Sequence, residues 1–180
     1  MHNLEPQTDP IEALRATFRR HASGVSVITT VSADGSPVGF TATSMTSLGA
    51  NPPLASFNVA SGASSWKALC SATHVAIHTL TSDNIELAKK MAAAHELRFL
   101  DDDWARGKHN LPIFNEVSAV LIAKVREIHA IESNAVVIVE IEEGLVGAQG
   151  NPLIYHERAY KTASRSEEHT SELQSLTTIS

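Results

Sequence analysis

Alternation of apolar and polar positions dominates the chain between residues 25 and 140. Val25, Val27, Ile28, Thr29, Thr30 and Val31 form a run of β-branched residues suited to a pleated surface. Ala33-Asp34-Gly35-Ser36 follows, and Asp-Gly predicts a hairpin because glycine tolerates the positive φ of a tight turn. The return strand, Pro37 to Thr43, runs into small hydroxyls at Thr41, Thr43, Ser44, Thr46 and Ser47. Asn51-Pro52-Pro53 stops that pattern, since proline lacks a donor and biases its predecessor away from helix. A new alternating strand is predicted at Leu54 to Val59, with Asn58 facing opposite to Phe57 and Val59. His74 to Leu80 alternates in the same way. Val117 to Ile131 and Ala135 to Glu140, joined at Glu132-Ser133-Asn134, predict a second antiparallel hairpin.

Helical spacing is confined to short stretches. Asp9 precedes Pro10 as an N-cap precedes a first-turn proline, and Ile11, Leu14 and Phe18 recur on one face before Gly24 ends the segment. This helix is expected to plug one end of the β-structure. Ser61-Gly62-Ala63-Ser64-Ser65-Trp66 opens a short helix at Lys67-Ala68-Leu69. Ser82-Asp83 caps another through Ala94, with Ile85, Leu87, Ala88 and Met91 on its apolar face. The fold is predicted to be mainly β.

Composition narrows the function classes. At 180 residues, 43% apolar and 19% charged, the chain reads as a single ordinary globular domain. A net charge of −6 argues against a nucleic-acid surface. One cysteine, Cys70, excludes an internal disulfide and fits a reducing, cytoplasmic compartment. No apolar run approaches the roughly 20 residues of a membrane span. No Gly-rich dinucleotide fingerprint, P-loop or nucleophile elbow is present.

Several positions carry candidate chemistry. A strand ending in small residues, Thr41-Ala42-Thr43-Ser44, lets a ligand approach the backbone and offers N–H and O–H donors. Ser64 and Ser65 stand at a helix N-terminus, either as an anion site or as simple caps. His74 and His78 lie four apart, which on a helix would suggest a metal pair. On a strand they share a face more than a dozen Å apart, at roughly 3.3 Å per residue, with no carboxylate or Cys to complete a set, so no metal site is expected. The polar loop His95 to Pro112 carries Arg98-Phe99, three aspartates and Trp104; Asp101-Asp102-Asp103 lacks the spacing of a calcium loop.

Taken together, these stretches resemble the flavin reductase family of FMN-binding split barrels. The resemblance runs from about Phe18 to Lys161. It rests on Phe18-Arg19, Gly24-Val25-Ser26-Val27-Ile28-Thr29-Thr30, Gly39-Phe40-Thr41-Ala42-Thr43-Ser44, Ser47 through Pro53, and Pro152-Leu153-Ile154-Tyr155-His156 with Tyr160. Arg98-Phe99 and Asp103-Trp104 match the family's loop. The resemblance implies a six-stranded antiparallel split β-barrel with flanking helices, usually a homodimer with flavin near the subunit interface.

It also implies an NAD(P)H:flavin oxidoreductase that supplies reduced FMN or FAD to a partner flavin-dependent monooxygenase through diffusible flavin. Hydride would pass from NADH or NADPH to the flavin, so the cofactors carry the chemistry and no side chain is expected to be catalytic. Thr41, Ala42, Thr43 and Ser44 would face the pyrimidine edge, while Ser47, Asn58, Ser64, Ser65 and Trp66 would hold the ribityl chain and phosphate. Trp66 reads equally as a core anchor and Arg98 as a surface charge, each also a candidate cofactor contact. His156 is a candidate for the active-site mouth. Where many relatives carry a His-containing pair, this chain has Ser133-Asn134, which leaves room for a non-catalytic flavin-binding or sensor protein on the same fold. An oxidase of the related pyridoxamine-phosphate type would need a clustered basic patch, which the sequence lacks.

The last segment departs from the pattern. From Arg165, RSEEHTSELQS has no periodicity and resembles the translation of a common sequencing-library adapter. The domain is therefore expected to occupy 1–163, with 164–180 a non-native or disordered tail. Arg165, Glu167, Glu168 and Glu172 together carry −2, which would leave the domain near −4.

Overall fold

In the computed structural model, which describes residues 4–163, strands dominate and three helices flank them. The proposed adapter-derived segment lies outside the described residues. The helices are α1 (Pro10–Arg20), α2 (Trp66–Ser71) and α3 (Ile85–Ala92). The strands are β1 (Ser23–Gly24), β2 (Ser26–Val31), β3 (Pro37–Ala42), β4 (Thr46–Ala50), β5 (Pro53–Ala60), β6 (His74–Thr79), β7 (Trp104–Arg106), β8 (Pro112–Phe114), β9 (Ala119–Ile131), β10 (Asn134–Val146), β11 (Leu153–His156) and β12 (Ala159–Thr162). Among the described residues no helix is long and apolar enough to cross a membrane.

The main sheet is antiparallel and has seven strands, in the order β3-β2-β6-β9-β10-β5-β4. Six strands were expected; the seventh, β4, is an edge strand whose five residues are all exposed. The sheet is open, because no ladder joins β3 to β5 among the described residues. It nevertheless curls: Ser44, just beyond β3, accepts a hydrogen bond from the Asn58 N–H of β5 at 2.9 Å. Phe40 on β3 meets Phe57 on β5 with ring centroids 6.1 Å apart. Inside the curl, Ile28, Phe57, Leu69, Val75, Ile77, Val137 and Val139 form one buried cluster. A second, with Val27, Leu80, Met91, Leu111, Phe114 and Ile122, fills the other face under α3.

The predicted hairpin at Asp34-Gly35 is present. Gly35 has φ +83°, and Asp34 accepts from the Ser32 hydroxyl and the Ser36 N–H. Those bonds hold its carboxyl at about 2, below the ordinary carboxylate value. The Ser82–Ala94 helix is shorter than expected: Ser82–Asn84 form a 3-10 turn, with Thr81 and Asn84 capping one another, before α3 begins. On α1 the expected apolar stripe is not buried. Asp9 caps the helix through the Ile11 N–H, but Ile11, Leu14 and Phe18 are each about 60% exposed, at 59%, 60% and 64%.

The face of β3 that carries Thr41 is fixed by α3. The Thr41 hydroxyl donates to the Ala88 carbonyl at 2.6 Å, and a Cβ at Gly39 would meet Met91 Cε at 2.5 Å, Phe99 Cζ at 3.0 Å and the Ile28 carbonyl at 3.1 Å. Methionine can swing aside; a backbone carbonyl cannot. Gly39→Ala is expected to cost about 1–3 kcal/mol through overpacking, read as a lowered melting temperature. An unchanged melting temperature would show that α3 can slide off β3 freely.

Candidate functional site

Past Ala42 the chain leaves the sheet, and Thr43, Ser44 and Met45 line an open cleft of about 680 Å³. Met45 is anchored by its sulfur, 3.7 Å from the Ser26 hydroxyl. Asn58 on β5 forms the floor beside Ser44. The opposite wall consists of Phe18 and His21 from the end of α1, residues 22–24, and Tyr155 on β11. Backbone bonds fix this wall: the Val25 N–H donates to the Leu153 carbonyl at 3.1 Å, and the Glu157 N–H to the Arg19 carbonyl at 3.1 Å. Phe18 and His21 meet edge-on at 5.9 Å, so aromatic rings crowd the mouth, where a planar ligand can stack.

The N–H groups of Thr43, Ser44 and Met45 make no hydrogen bond among the described residues. Three consecutive free donors beside small hydroxyls suit a ligand edge that carries carbonyl oxygens and gains negative charge. The structure thus brings Thr43, Ser44 and Asn58 together. Ala42 is 5% exposed and belongs to the core, contributing backbone only. Thr41 points away, toward α3. Ser47 sits on exposed β4 opposite Ala55 and does not line the cleft.

Ser64, Ser65 and Trp66 cluster at the start of α2. Trp66 packs, partly buried, against the apolar cluster inside the curl, as a core anchor would. Ser64 is exposed. Ser65 is 1% exposed, makes no capping bond, and its hydroxyl has no hydrogen-bond partner. A buried hydroxyl without a partner is costly unless a ligand that reaches it satisfies it, but none of Ser64, Ser65 and Trp66 lines the cleft of Thr43 and Ser44.

Arg98 lies elsewhere. Its guanidinium donates to the Ala93 carbonyl at 2.9 and 2.7 Å and to the Gly39 carbonyl at 2.7 Å, tying the following loop to β3. Burial lowers its pKa from the usual arginine value. His156 lies in a groove of about 180 Å³ that shares Phe18, His21 and Tyr155 with the cleft. Its Nδ1 accepts from Lys161 at 3.0 Å. The same lysine bonds Glu157 at 2.8 Å and holds that carboxyl below its ordinary pKa.

Phe18, His21 and Tyr155 were not predicted as cleft residues. Phe18 and Tyr155 stood in the quoted motifs, but only the pairing of β1 with β11 brings them together.

The curled antiparallel sheet with this cleft defines a flavin reductase fold. The model of the flavin reductase like domain matches residues 18–164, and the chain belongs to that family. It is 38% identical over 152 residues to an NADH:FMN oxidoreductase of Rhodococcus erythropolis, covering 81% of this chain and 78% of the relative. The reductase component of a flavin-dependent trigonelline monooxygenase of Acinetobacter baylyi is 30% identical, over 87% of this chain and 50% of its own length. Among solved structures, a flavin reductase domain protein from Arthrobacter sp. FB24 superposes with a TM-score of 0.84 at 43% identity, covering 88% of this chain and 99% of the other.

Proposed function

We propose that this chain is an NAD(P)H:flavin oxidoreductase that supplies reduced FMN or FAD to a flavin-dependent monooxygenase. Membership of the flavin reductase family and the similarity to named NADH:FMN oxidoreductases support the activity. Similarity to a monooxygenase reductase component supports the partner. The observation that carries the site assignment is that three consecutive residues without backbone N–H partners, Thr43 to Met45, line a cleft walled by aromatic rings.

When bound, the flavin accepts hydride from the nicotinamide and passes on the electrons. The chain's own residues bind and orient. The Thr43–Met45 donors hold the electron-poor edge, where charge accumulates, without reorganising. Asn58 and Ser44, fixed to each other, set the depth of the site. Ser65 meets the phosphate with Ser64 beside it, while Trp66 supports that turn from the apolar cluster and Ser47, off the cleft on β4, makes no ligand contact. Thr41, Ala42 and Arg98 act behind the site, by fixing β3 against α3 and its loop. His156 stands at the mouth.

The same reading includes a six-stranded split barrel, supported by the bridge from Ser44 to Asn58 that curls β3 toward β5, with β4 added outside. It includes a homodimer, supported by the exposed stripe of Ile11, Leu14 and Phe18 beside the cleft mouth. It includes a cytoplasmic location, supported by Cys70 being the chain's one cysteine. The folded domain is assigned to 1–163, and the adapter-like 164–180 to a foreign segment; intact genomic coding for that segment would overturn this last point.

Steady-state NADH and NADPH oxidation with and without FMN, FAD or riboflavin tests the function. Saturable, flavin-dependent turnover is expected. Tight flavin binding without turnover would favour the binding-protein alternative, for which the Ser133-Asn134 turn is the sequence argument.

A further inference from the structure

We propose that His74, His109 and Glu142 form a binding site for a divalent transition-metal ion, with Zn²⁺ the best fit. The three come from separate elements. His74 opens β6, His109 lies in the Lys108–Asn110 turn between β7 and β8, and Glu142 lies on β10. Their ligand atoms all fall within 4.8 Å of one another. His78, four residues along the same strand, takes no part: it is buried with both ring nitrogens engaged.

The distances suit a metal better than a hydrogen bond. Glu142 Oε2 is 3.5 Å from Nε2 of His74 and 3.5 Å from Nε2 of His109. That is long for a direct bond. It is close to the ~3.3 Å separation that tetrahedral geometry gives two ligands each about 2.0–2.1 Å from zinc. The Nδ1 of His74 is 3.0 Å from the Thr73 hydroxyl. The tautomer with Nδ1 protonated toward Thr73 leaves Nε2 as the ligand nitrogen, and a hydrogen bond on the other ring nitrogen is common in metal-binding histidines. Two imidazoles and one carboxylate form a borderline-soft set, and a groove of about 200 Å³ lined by Thr30, Ser71 and Thr73 leaves space for water as a fourth ligand.

The backbone departs from regular geometry at two of the three positions. His109 and Asn110 are non-glycine residues in the left-handed region, with φ 55° and 62°. Glu142 falls in the register shift between Ile141 and Glu143, a bulge that redirects a side chain. The His74 and His109 rings stack at 3.6 Å with an interplanar angle of 10°, so sharing one ion requires the exposed His109 ring to rotate out of the stack until the two Nε2 lone pairs converge. Lys108 is occupied by Glu143 at 2.8 Å; Lys124 is the remaining cation that opposes binding.

The site is remote from the cleft. His74 stands at one end of β6, whereas the cleft adjoins the other end, where Thr79 pairs with Ser26 and Ser26 with Ala42. Five strand residues separate the ends by roughly 17 Å. The ion would clip the Lys108–Asn110 turn to β6 and β10.

The test uses the full chain without an affinity tag, stripped with chelator and titrated with ZnCl₂ by calorimetry, with melting temperature as a second readout. One ion per chain and a raised melting temperature are expected. His109→Asn, which suits a left-handed backbone, and Glu142→Gln should each bind at least tenfold more weakly while keeping flavin-dependent NADH oxidation. Absence of saturable binding, or binding equally tight in both variants, would overturn the site. Loss of flavin turnover in the unaltered protein bears on the proposed function alone.

Discussion

Replacing His78 by alanine is expected to lower the unfolding free energy by about 3–5 kcal/mol, from a cavity in the core and two stranded backbone groups. His78 is fully buried on β6, and its ring joins two elements that do not otherwise share a ladder. Nδ1 is 3.0 Å from the Val27 carbonyl, and Nε2 accepts the Phe114 N–H at 3.1 Å. One nitrogen donates and the other accepts, so the ring must be neutral. Desolvation pushes its pKa down from 6.5 to about 4. Above pH 6.5 folded and unfolded chains are both neutral here, and no penalty arises. Below it the unfolded chain takes up a proton that the folded chain refuses, so stability is lost between about pH 6.5 and 4. The loss is about 3 kcal/mol in total, at roughly 1.4 kcal/mol per pH unit. Urea titrations across that range measure it, and in His78→Ala this slope should flatten. A variant within 1 kcal/mol of the parent, or an unaltered slope, would refute the assignment.

For Ser65→Ala the largest expected effect is on binding, with stability moving little or slightly upward. The hydroxyl is buried and unpartnered in the unliganded chain, so its removal relieves a desolvation cost. With FMN bound, it would donate to a charged phosphate, a contact of about 1.5–3 kcal/mol, or roughly ten- to a hundredfold in Kd. Riboflavin, which lacks the phosphate, should bind the variant and the parent alike. Fluorescence titrations with both ligands decide the matter. A lowered melting temperature with unchanged FMN affinity would make Ser65 a structural residue.

The hairpin from Val25 to Ala42 was legible because β-branched residues and Asp34-Gly35 agree on one local structure. β4 was not: Thr46 to Ala50 is wholly exposed, with Leu48 its one large apolar residue and no apolar alternation, and it is a strand only because β5 offers an edge. β10 continues six residues past the predicted Glu140, where Glu142 and Glu143 interrupt the apolar pattern but the ladder with β9 persists. At the site, the hydroxyl-rich run located the cleft without telling its faces apart. The sequence shows Thr41 and Thr43 as equivalent, and only the docking of α3 on β3 turns Thr41 inward while Thr43 lines the cleft. Arg98 shows the same limit, because its carbonyl partners become visible only in the folded loop. His74, His109 and Glu142 are too far apart in sequence for any spacing rule to join them.

The pairing of β1 with β11 also bears on synthesis. Ser23 emerges from the ribosome early, yet its partner Tyr155 is made more than 130 residues later. At about 5–20 residues per second, the wall of the cleft waits on the order of ten seconds for its second half. Meanwhile α1, with Phe18 and its uncovered apolar stripe, has no hairpin to rest on. A nascent chain halted before Leu153 would carry the donors of Thr43–Met45 but only half a cleft, so competence to hold a planar ligand should appear late and abruptly during translation.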